Sequence, residues 1–137
     1  MHIISSKPFS LSILKTLVFE GSTIELSDEV IYKIQECRDY LDQKIEATSD
    51  PIYGINTGFG SLCDVRIHSE NLTKLQENLV RSHACGTGDF VALPIIKLML
   101  LLKIKSLSYG HSGIQLETVK RLVSFYNNDV LPVIYTQ

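Results

Sequence analysis

Hydrophobic and polar positions alternate with helical spacing over most of this chain. Leu11 to Phe19 has the length and apolar content of one short helix ended by Gly21, set among short β-like runs in the opening segment. Ser27 has the chemistry of an N-cap, and Asp28 and Glu29 behind it suit the positive end of a helix dipole. Val30, Ile34, Cys37, Leu41 and Ile45 then form an apolar stripe, which Thr48-Ser49-Asp50-Pro51 ends because the residue before proline avoids the α region. From Ile52 to Ile67 no helical period is present, and Tyr53-Gly54-Ile55-Asn56-Thr57-Gly58-Phe59-Gly60 reads as an irregular glycine-rich loop. Ser69 opens a further helix with Leu72, Leu75, Leu79 and His83 on one face, stopped by Gly86-Thr87-Gly88. Pro94 suits the first turn of the next, which runs to about Tyr109 with Gly110 as its stop. A last helix spans about Leu116 to Tyr126, closed by Asn127-Asn128. The prediction is a mainly α chain, 1–137 as one domain or fragment, with minor β structure near its start.

The helix opened by Pro94 is unusual. Ile95, Ile96, Leu98, Met99, Leu100, Leu101, Leu102 and Ile104 cover almost its whole circumference. A helix apolar all round needs burial on all sides, and amphipathic neighbours in so short a chain could barely surround it. The pattern predicts a further partner, either more chain or another subunit.

Composition narrows the function classes. The 137 residues are 45% hydrophobic and 20% charged, as in a globular domain, with a formal net charge of -2. That balance lacks the cationic footprint of a nucleic-acid or membrane-surface binder. The most apolar stretch, Leu93 to Leu102, contains Lys97 and falls far short of the ~20 apolar residues of a spanning helix. Cys37, Cys63 and Cys85 are odd in number and have no CxxC spacing, so reduced thiols of a cytoplasmic protein are expected.

Candidate chemistry is sparse when each residue is taken alone. Gly54-x-x-x-Gly58-x-Gly60 has the spacing of a dinucleotide turn, but no buried strand precedes it and no helix follows at once. Its three glycines read as turn residues or as hinges of a mobile loop that carries the Tyr53 hydroxyl. His83 reads, on spacing alone, as a half-buried histidine at a helix end. With Cys85 it gives two ligand types without a third, as does His68 with Cys63, so no metal is assigned. His2 and His111 read as surface or loop residues. Ala84-Cys85-Gly86 has the frame of a self-cyclising Ala-Ser-Gly tripeptide with cysteine for serine, although Cys85 as a small apolar filler is the plainer expectation.

Three stretches taken together resemble the aromatic amino-acid ammonia-lyases. Tyr53 to Gly60 is similar to that family's tyrosine loop, Asn78-Leu79-Val80-Arg81-Ser82-His83-Ala84-Cys85-Gly86-Thr87-Gly88 to its selectivity segment, and Lys103 to Gly113 to the helix and turn that follow. The resemblance runs from Leu11 to Tyr135, and the Ser82-His83 pair is similar to the members acting on histidine. It implies the N-terminal helical segment of the ammonia-lyase fold and non-oxidative loss of ammonia from L-histidine, giving trans-urocanate in histidine degradation. It implies Tyr53 as the base, His83 and Ser82 as substrate-binding residues, and Gly54, Gly58 and Gly60 as hinges of the tyrosine loop. A tyrosine, ordinarily near pH 10, is a poor base at neutral pH, and the family directs helix N-termini at its active centre to favour phenolate. The resemblance further implies a homotetramer and a methylidene-imidazolone prosthetic group made from Ala-Ser-Gly. No Ala-Ser-Gly occurs in these residues, so the expectation is an N-terminal piece of a longer lyase, inactive alone. The alternatives are a non-catalytic helical interaction module, and a lyase or aminomutase acting on tyrosine or phenylalanine.

Overall fold

A computed structural model describes residues 1–48, 50–58, 60, 67 and 71–137. Among them run β1 (His2–Ile4), α1 (Leu11–Phe19), β2 (Ile24–Leu26), α2 (Asp28–Ala47), α3 (Leu72–His83), α4 (Leu93–Leu107) and α5 (Leu116–Asn127). The expected mainly α architecture with short β elements near the start is present. The two strands pair in parallel, His2 opposite Ile24 and Ile4 opposite Leu26, with α1 as the crossover between them.

Local chemistry accounts for the helix limits. The Ser27 hydroxyl accepts from Val30 N–H at 3.3 Å and caps α2 as its sequence predicts. Ser10 does the same for α1 through Ile13 N–H. Pro94 sits in the first turn of α4, where a missing N–H costs nothing. The start of α3 differs from expectation: Asn71 stands at its N-cap without a side-chain bond, and Ser69 lies outside the described residues.

The core gathers Ile4, Ile24 and Leu26 from the strands, Leu17 from α1, Val30 and Ile34 from α2, Leu101, Ile104 and Leu107 from α4, and Val119 and Tyr126 from α5. Side chains of α5 lock onto the strands and α1. Asn127 Oδ1 accepts from Ile24 N–H at 2.8 Å while its Nδ2 donates to Ile24 O at 2.9 Å, so one side-chain amide imitates a third strand. The Tyr126 hydroxyl donates to Leu17 O at 2.6 Å.

Burial all around α4 is not reached among the described residues. Leu101, Ile104 and Leu107 pack into the core and Ile96 is buried on the same side, whereas Ile95, Met99 and Leu102, on the opposite side, are 53%, 49% and 44% exposed. The helix thus has one packed face and one open apolar face, because the described neighbours cover a single side of it.

The turn after α4 is pressed against α2. A Cβ on Gly110 would stand 2.8 Å from Lys33 O and one on Gly113 would stand 2.5 Å from Leu41 Cδ2, and both glycines have left-handed φ. Arg38 of α2 forks onto Asp42 and also donates to Gly113 O at 3.2 Å, fixing the same turn. No described helix is long and apolar enough to cross a membrane.

Candidate functional site

Tyr53 is placed by a tight turn. Ile55 N–H donates to Ile52 O at 3.1 Å across Ile52-Tyr53-Gly54-Ile55, and Gly54 at the third position has φ +75°. A turn with positive φ at that position favours glycine for conformational reasons. Sterics play no part, since a Cβ on Gly54 would meet nothing within 4 Å. Tyr53 occupies the preceding corner with its side chain 65% exposed. Gly60 is also left-handed, while Gly58 is buried and is not.

The residue that ties this loop down was missed in the sequence. Asn56 Oδ1 accepts from Ile52 N–H at 2.6 Å, its Nδ2 donates to Asp50 O at 3.1 Å, and its carbonyl accepts from Ile67 N–H at 2.8 Å. Asn56 and Thr57 are buried, so the turn stands on a polar plug whose groups are bonded within the loop. An asparagine between glycines in an aperiodic stretch was the available signal, because its amide can bond backbone a few residues away.

The second predicted group lies at the end of α3. Ser82 Oγ–H donates to Leu79 O at 2.9 Å, and His83 Nδ1 lies 2.9 Å from both Leu79 O and Ser82 Oγ. Spacing explains the cluster, since residues three and four positions on from Leu79 return over its carbonyl. His83 is exposed, where spacing alone predicted half-burial, because nothing described packs over this end of α3. The structure therefore joins Ser82 to His83, while Tyr53 stands on a separate loop.

Beyond α3 the chain is held by its own end. Thr87 and Gln137 exchange N–H···O bonds of 2.6 and 2.9 Å, Thr136 N–H donates to Asp89 O and Val91 N–H to Ile134 O, both at 2.9 Å. Phe90 pairs with Tyr135 across this ladder, ring centroids 5.1 Å apart. An apolar cleft of about 430 Å³ opens beside it between Phe90, Leu93, Ile96, Leu131 and Val133. Cys85 is exposed and does not fill a gap as expected. Gly86 is pressed onto Tyr135, whose Cδ2 would lie 2.6 Å from a Cβ there.

Cofactor fit follows from these residues. The sequence holds no Ala-Ser-Gly, and Ala84-Cys85-Gly86 lies in an open segment with Gly86 packed against the tail. The residues present do not supply the precursor of a methylidene-imidazolone, and no step is routed through one. Among the described residues no group of three or more His, Cys, Asp or Glu side chains could hold a metal ion. Cys63 and His68 lie outside the described residues.

A parallel strand pair bridged by α1, an apolar helix with one open face, a tyrosine turn and a separate Ser-His helix end make up a mainly helical segment of the ammonia-lyase type. The chain belongs to the aromatic amino acid lyase family, whose sequence profile matches residues 9–137. The histidine ammonia-lyase of Deinococcus radiodurans is 38% identical over 135 residues, covering 98% of this chain and 26% of that protein. That of Myxococcus xanthus is 42% identical over 113 residues, covering 82% and 22%. The crystal structure of histidine ammonia-lyase from Trypanosoma cruzi superposes with a TM-score of 0.79 at 35% identity, over 92% of this chain and 24% of that one. Tyrosine aminomutase from Streptomyces globisporus superposes at 0.84 with 26% identity, over 93% and 24%. The chain thus spans about a quarter of the length of these relatives.

Proposed function

We propose that this chain is the N-terminal part of an ammonia-lyase that converts L-histidine to trans-urocanate and ammonia in the cytoplasm. The observation that carries this reading is the Ser82–His83 pair at the end of α3, in a chain whose curated relatives are histidine ammonia-lyases. Tyr53 is the base: it sits at the exposed corner of a turn tied down by Asn56, and as phenolate its oxygen accepts the β-proton of a bound amino acid. The C–H electron pair becomes the Cα=Cβ bond and the α-amino group leaves. His83 contacts the substrate imidazole and sets selectivity, and Gly54, Gly58 and Gly60 let the tyrosine loop move. The electrophile that activates the amine when bound, a methylidene-imidazolone, is supplied by residues outside these 137.

The parent is a homotetramer in this reading. The open face of α4 supports it, because each large aliphatic side chain is worth about 1.5–3 kcal/mol when fully buried, and a patch of that kind seldom stays unpartnered. The test has two arms. The full-length lyase containing this chain should form urocanate from L-histidine, and the purified 137-residue chain should not. Urocanate from the isolated chain would overturn the assignment of the electrophile to other residues. Turnover of tyrosine or phenylalanine in place of histidine by the longer protein would overturn the substrate.

A further inference from the structure

The α3 terminus carries more information than the identity of its two side chains. A carbonyl oxygen can only accept, so the 2.9 Å contact between His83 Nδ1 and Leu79 O requires a proton on Nδ1. Ser82 has a single hydroxyl proton, and it points at Leu79 O, also 2.9 Å away. The Ser82 lone pairs are then what face Nδ1, again at 2.9 Å, which an Nδ1–H satisfies as a shared bond. With the proton on Nε2 instead, the Nδ1 lone pair would face the carbonyl lone pairs, and Ser82 would have to abandon Leu79 to relieve it.

We infer that Ser82 is a positioning residue which, with the Leu79 carbonyl, holds neutral His83 as its Nδ1–H tautomer and makes Nε2 a hydrogen-bond acceptor toward any ligand. The group that Nε2 recognises therefore carries a donor. Resting on the function proposed above, that donor is the ring N–H of a substrate imidazole; a plain phenyl ring offers nothing to Nε2, and a carboxylate is repelled by its lone pair. Ser82 does not touch substrate in this account. It acts through His83.

The test reads the ring nitrogens directly. In 15N-labelled protein at pH about 9, where an ordinary imidazole is neutral, two-bond 1H–15N spectra separate N–H-type from lone-pair-type nitrogens. Loss of one signal set in His83→Gln assigns His83 among the four histidines. We expect His83 to show N–H character at Nδ1 and lone-pair character at Nε2, a tautomer mixture in Ser82→Ala, and restoration in Ser82→Thr. In the full-length enzyme Ser82→Ala should raise KM for histidine about three- to tenfold, with a smaller change in kcat, and Ser82→Thr should rescue it. A wild-type ring protonated on Nε2, or an unchanged tautomer in Ser82→Ala, overturns the inference. If the tautomer is as stated but the full-length enzyme forms no urocanate, the histidine reading fails while the role of Ser82 stands.

Discussion

Replacing Tyr126 by phenylalanine removes one oxygen from the centre of the structure, and its effect can be worked out from the contacts. The side chain is 1% exposed, and its hydroxyl donates to Leu17 O at 2.6 Å. Leu17 lies in the last turn of α1, where carbonyls lose their in-helix partners, so the phenol takes the place of a helical N–H. Phenylalanine keeps the ring packing and leaves that carbonyl bare, at a cost of about 1–3 kcal/mol. Burial, and then the nearby Asp129 carboxylate, push the Tyr126 phenol from 10 up to about 12. The folded state therefore holds this proton more tightly than the unfolded chain. Its contribution is complete below pH 10 and is lost as pH rises through about 12. Urea unfolding followed by far-ultraviolet circular dichroism at pH 8 and at points between pH 10 and 12 measures both effects. Wild type should exceed Tyr126→Phe by about 1–3 kcal/mol at pH 8, with the gap narrowing as pH climbs. Equal stabilities at pH 8, or a gap that widens with alkali, would refute the reasoning.

Other outcomes follow from single contacts. Asn127→Ala strips both partners from Ile24 and should cost about 2–4 kcal/mol by thermal or urea unfolding, more than Tyr126→Phe. Gly110→Ala puts a Cβ 2.8 Å from Lys33 O at φ +71° and should destabilise by more than ~1 kcal/mol, whereas Gly21→Ala, with nothing within 4 Å, should show only the conformational part. Paired Met99→Lys and Leu102→Glu changes on the open face of α4 should lower self-association in sedimentation without loss of helix signal. His83→Leu in the full-length enzyme should shift the ratio of kcat/KM away from histidine, toward phenylalanine or tyrosine, by about tenfold or more.

Much of this fold was legible along the chain because local chemistry writes it. The Ser27 cap, the Pro94 start and the limits of α1 each depend on residues within four positions of one another. What escaped depends on distance in sequence. Asn127 reads as a helix stop until its amide is seen 103 residues away on Ile24, and Tyr126 reads as one more apolar position until its hydroxyl meets Leu17. The α4 pattern calls for burial on every side, whereas the packing among the described residues covers one face of that helix. At the candidate site the residue types Tyr53, Ser82 and His83 were readable through family likeness. Asn56 under the tyrosine turn and the polarity of the His83 ring were not, since both depend on where lone pairs and protons point.

The proposed role of Tyr53 as proton acceptor in the elimination of ammonia from L-histidine stands or falls on its hydroxyl. The most direct test is the initial rate of urocanate formation from L-histidine by the full-length lyase, with Tyr53 and with Tyr53→Phe, which keeps the ring and removes the hydroxyl. The account predicts turnover by the parent and a fall of about 10²-fold or more in kcat for the variant, with little change in histidine affinity. Near-normal turnover by Tyr53→Phe would contradict it.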